Sequence, residues 1–152
     1  MPTKIISGGQ TGVDRAALDV ALELGIACGG WCPRGRRAED GPIADRYPLQ
    51  ETPTEEYPPR TEWNIRDADA TLILTRGMPD RGTALTVKLA NRQRKPLYVV
   101  DLEQPAADDV DRVRRWLKQQ EVGVLNVAGP RESSAPGIGG QAAAFLREVL
   151  AS

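Results

Sequence analysis

The sequence predicts an α/β protein: a Rossmann-like three-layer sandwich, with a five-stranded, mainly parallel sheet and helices on both faces. Three observations predict it. Short apolar runs alternate along the chain with segments of helical periodicity. Those runs are continuously apolar, as in strands covered on both sides, rather than alternating. At 152 residues and 40% apolar composition, the chain is long enough to bury a core, and residues 1–152 are expected to form one Rossmann-like ligand-binding domain.

The elements follow in order. Lys4–Ser7 is the first strand. Val13, Ala16, Ala17, Val20, Ala21 and Leu24 then fall on one helical face, and Gly25 stops the helix. Leu18 and Leu22 leave that helix apolar nearly all round, which predicts cover from another helix or a partner subunit. Ile26–Trp31 is the second strand, weakened by Gly29 and Gly30. A long connection rich in proline and charge runs from Cys32 to Pro59. Thr61–Ala68 is a short helix with Thr61 as N-cap, and "ATLILT" (Ala70–Thr75) is the third strand. A helix over Thr83–Gln93, a fourth strand "LYVVDL", and a helix over Ala106–Gln120 come next. That last helix starts with acidic and ends with basic residues, as its dipole favours. Val124–Val127 is the fifth strand, and Gln141–Leu150 is the closing helix. With right-handed crossovers, the expected strand order is 2-1-3-4-5.

Composition excludes much. The chain has no histidine, which removes Ser-His-Asp and Cys-His catalysis and the His-based zinc and iron sites together. Any acid–base chemistry falls to Asp, Glu, Lys, Tyr or a ligand group. A net charge of −1 argues against a nucleic-acid binder. No apolar run approaches the roughly 18–20 residues that span a bilayer, and no signal peptide is visible. A cytoplasmic protein without a membrane partner is expected. Cys28 and Cys32 are too few for a disulfide framework and, without histidine, make only half of a structural zinc site. They are read as core thiols, and no metal site is expected.

In open α/β sheets, ligands bind beyond the carboxyl ends of the strands. Three such ends are glycine-rich: Gly8–Gly12, Arg76–Thr83 and Gly129–Gly140. The first two feed directly into helices, whose free N–H groups suit an anion. Ser7, Gly8, Gly9, Gln10, Thr11 and Gly12, with Gly77, Gly82 and Thr83, are therefore candidate phosphate or oxyanion contacts. Either these glycines form the cradle or they only make tight turns. No lysine sits where a P-loop needs one. The second strand ends in "GGWCPRGRR" rather than in the acidic residue that a NAD site uses. Arg34, Arg36 and Arg37 either add charge to an oxyanion site or belong to a solvated loop balanced by Glu39 and Asp40. Asp14 either complements the helix dipole or faces the ligand, and Arg15 reaches a phosphate or a neighbouring subunit. Glu132 and Ser133, in "GPRES", are candidate wall residues. Trp63 could stack on a planar ligand.

The segments "SGGQTGVDRAALDVALELG", "GGWCPRGRRAEDG", "RTEWNIRDADATLIL" and "VLNVAGPRESSAPGI" resemble, in order and over nearly the whole chain, the molybdenum cofactor carrier family. That family is also classed as a circularly permuted branch of the nucleotide-binding SLOG superfamily. The resemblance implies a Rossmann-like fold, homo-oligomers (dimer or tetramer), and a small anionic ligand, either the molybdopterin cofactor or molybdate, with molybdoenzymes as recipients.

The wider superfamily includes phosphoribohydrolases that split nucleoside monophosphates and carry a PGGxGTxxE loop. In "MPDRGTALT", Gly82 and Thr83 match the Gly-Thr pair, but Thr86 stands in place of the glutamate. A threonine cannot replace that carboxylate at neutral pH. The leading expectation is thus a carrier or binding protein. The alternatives are an enzyme acting on a nucleoside monophosphate, with Asp14 or Glu132 as its catalytic group, or a nucleotide sensor.

Overall fold

The computed structural model describes residues 1–151. The chain runs β1 (Lys4–Ile6), α1 (Val13–Leu24), β2 (Ala27–Gly29), β3 (Trp31–Cys32), β4 (Arg37–Ala38), β5 (Gly41–Pro42), β6 (Gln50–Glu51), α2 (Tyr57–Arg66), β7 (Ala70–Thr75), α3 (Arg81–Arg92), β8 (Leu97–Asp101), α4 (Asp109–Gln119), β9 (Val124–Ala128) and α5 (Ile138–Leu150). Strands β2, β1, β9, β7 and β8 form one sheet in that order, with every pairing parallel. The α/β sandwich read from the sequence is what the chain forms.

The strand order differs from the expected one. β9 inserts between β1 and β7 instead of closing an edge. Burial explains the choice: Leu125, Asn126 and Val127 of β9 are all buried, whereas Val99 of β8 is 44% exposed. The strand with an uninterrupted buried centre takes the middle, and the one that tolerates water takes the edge.

Right-handed crossovers then sort the helices. The paths β1→β2 and β8→β9 run in one direction across the sheet, and β7→β8 runs in the other. α1, α4 and α5 accordingly share a core with one face, through Val13, Val20, Val113, Trp116, Ala142 and Leu146. α2 and α3 pack together elsewhere, through Ile65, Leu89 and Ala90.

Several boundaries move for identifiable reasons. The second strand breaks at Gly30, whose φ is +127° and whose absent Cβ would lie 2.2 Å from the Ser7 carbonyl oxygen. Beyond it, β3 leaves the main sheet to pair with β6. α2 starts at Tyr57, not Thr61, because Pro58 and Pro59 fit a first helical turn, where no N–H is needed. Thr61 is not the cap; its hydroxyl bonds back to the Tyr57 carbonyl. α3 starts at Arg81 behind an Asp80 cap, and α5 starts at Ile138.

Leu18 is fully buried, but its cover is the 33–47 connection rather than a helix: it clusters with Cys32, Ala38, Ile43 and Tyr47. Leu22 stays 44% exposed. Among the described residues, no helix is long and apolar enough to cross a membrane.

Candidate functional site

β1 hands the chain to one side of the sheet and β7 hands it to the other, so a crevice opens beyond their carboxyl ends. β9, lying between them, forms its floor. A pit of about 50 Å³ lies there, lined by Gly8, Asp14, Arg60, Asn64, Gly82 and Asn126, among others. All three predicted glycine bends contribute a glycine to it: Gly8 after β1, Gly82 before α3 and Gly129 after β9.

The pit is organised by an ion pair. The Arg60 guanidinium donates from Nη1 to Asp14 Oδ2 at 2.9 Å, and both side chains are largely buried. Asp14 sits in the first turn of α1, and the Ser7 hydroxyl donates to its backbone carbonyl at 2.8 Å. Burial pushes the Asp14 carboxyl above the ordinary aspartate range, and Arg60 offsets part of that rise. Gly8 makes the pair sterically feasible: a Cβ there would come within 1.7 Å of Arg60 Nη1.

Hydrogen-bond accounting separates spent groups from free ones. Asn64 is spent: its Oδ1 accepts from the Trp31 N–H and its Nδ2 donates to the Trp31 carbonyl. Asn126 donates to the Thr71 hydroxyl at 3.3 Å. The Thr86 hydroxyl bonds back to the Gly82 carbonyl. Three buried side-chain atoms lack any partner among the described residues: Arg60 Nε, Thr75 Oγ1 and Thr83 Oγ1. They belong to the helix that lies over Gly8, the last residue of β7, and the first turn of α3. Orphaned buried polar atoms are uncommon and mark strain, function or an absent ligand. Here all three come from elements that converge at the carboxyl end of the sheet.

Some of the backbone amides at the helix N-termini are already engaged. In α1, Val13 N–H donates to the Pro130 carbonyl and Arg15 N–H to the Gln10 carbonyl. In α3, Asp80 Oδ1 accepts from Thr83 N–H at 2.8 Å. At α5, the Glu132 carboxylate accepts from Gly137 and Gly139 N–H. The protein's own oxygens thus occupy part of the positive ends of these helices. At the pit, Arg60 adds a side-chain donor beside the backbone of Gly8 and Gly82.

Other predicted residues gather at a second concavity, a groove of about 870 Å³ between α1 and α5. Thr11, Gly12, Arg15, Glu132 and Ser133 line it. Its charges are paired off. Arg15 donates to both oxygens of Asp40 and to the Gly9 carbonyl. Glu39 is held by the Thr11 hydroxyl and by Ser133 through both N–H and hydroxyl. Hydrogen bonds from Ser133 and Thr11 pull the Glu39 carboxyl below the ordinary glutamate range. Glu132 therefore caps α5 on the groove side and does not line the pit.

The remaining candidates lie outside the pit lining. Gln10 accepts from the Thr11 and Glu39 N–H groups. Gly9 and Gly12 have φ near +80°, and Gly12 packs against the Pro130 carbonyl, where a Cβ would sit 2.4 Å away. Arg36 spends its guanidinium on the carbonyls of Ile43, Ala44, Tyr47 and Leu49. Arg34 and Arg37 stand 3.8 Å from Glu55, exposed. Gly77 donates its N–H to Asp101. Trp63 packs edge-on against Trp31, with centroids 4.8 Å apart, rather than facing the pit. Both cysteines are free, and among the described residues no group of three or more His, Cys, Asp or Glu side chains is placed to hold a metal ion.

Arg60, Asn64, Asn126 and Thr75 were not expected from the sequence. Arg60 did leave a signal: a cation in the first turn of a helix opposes the dipole and calls for an acidic partner. Asn126 left a weaker one, an amide inside an apolar strand. Asn64 and Thr75 left none.

The fold and the crevice define a Rossmann-like α/β protein with a small polar site at the switch point of a parallel sheet. The chain belongs to the circularly permutated YpsA SLOG family, whose model matches residues 5–150. It is also similar to the crystal structure of a "putative molybdenum carrier protein" from Syntrophus aciditrophicus SB. The two share 44% sequence identity at a TM-score of 0.96, over 99% of this chain and 96% of that one. No curated protein matches the chain.

Proposed function

We propose that this protein is a carrier for a small oxyanion, with molybdate or the phosphate end of molybdopterin as its ligand, held in the pit between Gly8 and Gly82. The observation that carries this reading is the Arg60 guanidinium, whose buried Nε lacks a partner among the described residues, on the wall of a pit of about 50 Å³. One water needs roughly 10–15 Å³ of such space, so the pit takes a ligand a few waters in size. A tetrahedral oxyanion fits that description; a pterin ring would stay outside the mouth. The name of the Syntrophus protein supports molybdenum as the cargo.

Arg60 supplies charge and a directed donor, and Thr61 and Asn126 line the pit beside it. Binding and release need no nucleophile. We further propose that the protein works as a homo-oligomer, with Leu22 of α1, 44% exposed, on the contact face.

The test is equilibrium dialysis against micromolar molybdate, read by elemental analysis. Saturable binding that is lost in Arg60→Met supports the reading. Binding that is indifferent to Arg60→Met contradicts it.

One observation favours a second reading. Asp14 places a carboxyl of raised proton affinity at the pit, as a nucleoside-monophosphate hydrolase would require. Release of free base from AMP, abolished in Asp14→Asn, would favour that enzyme over the carrier.

A further inference from the structure

The Asp14–Arg60 pair is electrically neutral, and it closes the site against the ligand that the site otherwise suits. Among the described residues, one guanidinium lines the pit, that of Arg60, and Asp14 already occupies one side of it through the 2.9 Å contact to Nη1. A dianion arriving at Arg60 Nε would face the Asp14 carboxylate at close range, in a place where water screens little. The charged groups around Asp14 are few. Arg60 comes from α2 and Arg15 from its own helix. The loop after β1 contributes Ser7 and Gly8, β9 contributes Asn126, and α3 contributes Gly82 and Thr86, all of them neutral. With so little countercharge, the cheapest way to admit a second negative group is to neutralise the first.

Resting on the oxyanion reading above, we propose that the pit binds a tetrahedral oxyanion together with one proton, which Asp14 takes up from solvent as Arg60 transfers from its carboxylate to the ligand. The proton lands on a carboxylate oxygen of Asp14, no covalent bond other than that O–H forms, and the complex keeps one positive group facing the anion. Asp14 thus acts as a built-in competitor, and bound cargo becomes easier to release as pH rises. Burial of Asp14, which already favours its protonated form, keeps the cost of this exchange low.

The linkage has a sign. Anion binding raises the proton affinity of Asp14, so affinity falls with rising pH between the Asp14 pKa of the free protein and that of the complex. The fall is about tenfold per pH unit where a full proton is taken up.

The experiment is calorimetric titration of the full chain with sulfate, which does not titrate between about pH 5 and 8.5, in buffers of contrasting ionisation enthalpy. The expected result is uptake approaching one proton per sulfate within that range, with Asp14→Asn binding sulfate independently of pH. Glu39→Gln, which alters a hydrogen-bonded carboxylate in the neighbouring groove, keeps the proton uptake. Sulfate binding without proton uptake at any pH overturns the proposal, as does loss of the uptake in Glu39→Gln. If Asp14→Asn does not fold, the proton count of the unaltered protein decides alone. Failure of both sulfate and molybdate to bind at any pH removes the oxyanion reading itself, an outcome distinct from binding without protons.

Discussion

The Arg60 guanidinium lies where a side chain on Gly8 would have to go, with its Nη1 only 1.7 Å from the position of a Gly8 Cβ. The glycine at the end of β1 is therefore required less for backbone freedom than for the passage of a cation from α2 to Asp14. Gly8→Ala should push the Arg60 side chain aside and weaken oxyanion binding at least tenfold while the protein stays folded, since the displaced atoms end a flexible side chain. Gly12→Ala should behave oppositely. Its φ of +80° and the Pro130 carbonyl 2.4 Å from a Cβ leave nothing that can yield, so the fold should lose on the order of 1–3 kcal/mol. Urea denaturation and dialysis on both variants separate the two effects.

Thr83 offers a trade between stability and binding. Its buried hydroxyl has no partner, so Thr83→Val removes an unsatisfied group at nearly constant volume. The variant should be as stable as the parent or more so, by up to about 1 kcal/mol, and should bind oxyanion more weakly. Lower stability with unchanged binding would mean that the hydroxyl serves packing alone.

Glu132 accepts two N–H groups at the start of α5 and lies outside the pit. Glu132→Ala should cost roughly 0.5–2 kcal/mol, the value of a helix cap, read from the denaturation midpoint. Oxyanion affinity should not change.

The buried pair makes stability depend on pH in a definite direction. Because the folded Asp14 carboxyl lies above its ordinary value of 3.8, the native state holds an extra proton between that value and the folded one. Asp14 therefore subtracts stability as pH rises through the window, and the loss is complete above it. Removing Arg60 raises the folded value further and widens the window. Arg60→Met should thus cost about 3–5 kcal/mol near neutrality, with the gap from the parent narrowing toward acid. Urea midpoints at several pH values check the sign, and carboxyl NMR of Asp14 checks the cause.

How much of this was legible in the sequence depends on whether the information is local. The apolar run Ala70–Thr75 and the spacing from Val13 to Leu24 announced β7 and α1 because periodicity is carried within a segment. The strand order was not legible: the placement of β9 between β1 and β7 is decided by which strand buries better, a comparison between distant segments. At the site, the glycine bends and Asp14 were readable as turn and helix-start signals. Their occupants were not. Glu132, Asp80 and the Pro130 carbonyl each engage part of a helix end, and Arg60 reaches Asp14 from 46 residues away. Arg36 looked available as a charge, but its φ of +54° turns it inward onto four carbonyls.

The central claim is the location of the anion. A crystal soaked in molybdate and measured at the molybdenum absorption edge tests it most directly. The account predicts one strong anomalous peak beside Arg60 Nε, between Gly8 and Gly82. A peak in the α1–α5 groove near Arg15 and Arg147, or no peak in the pit at saturating molybdate, would contradict it.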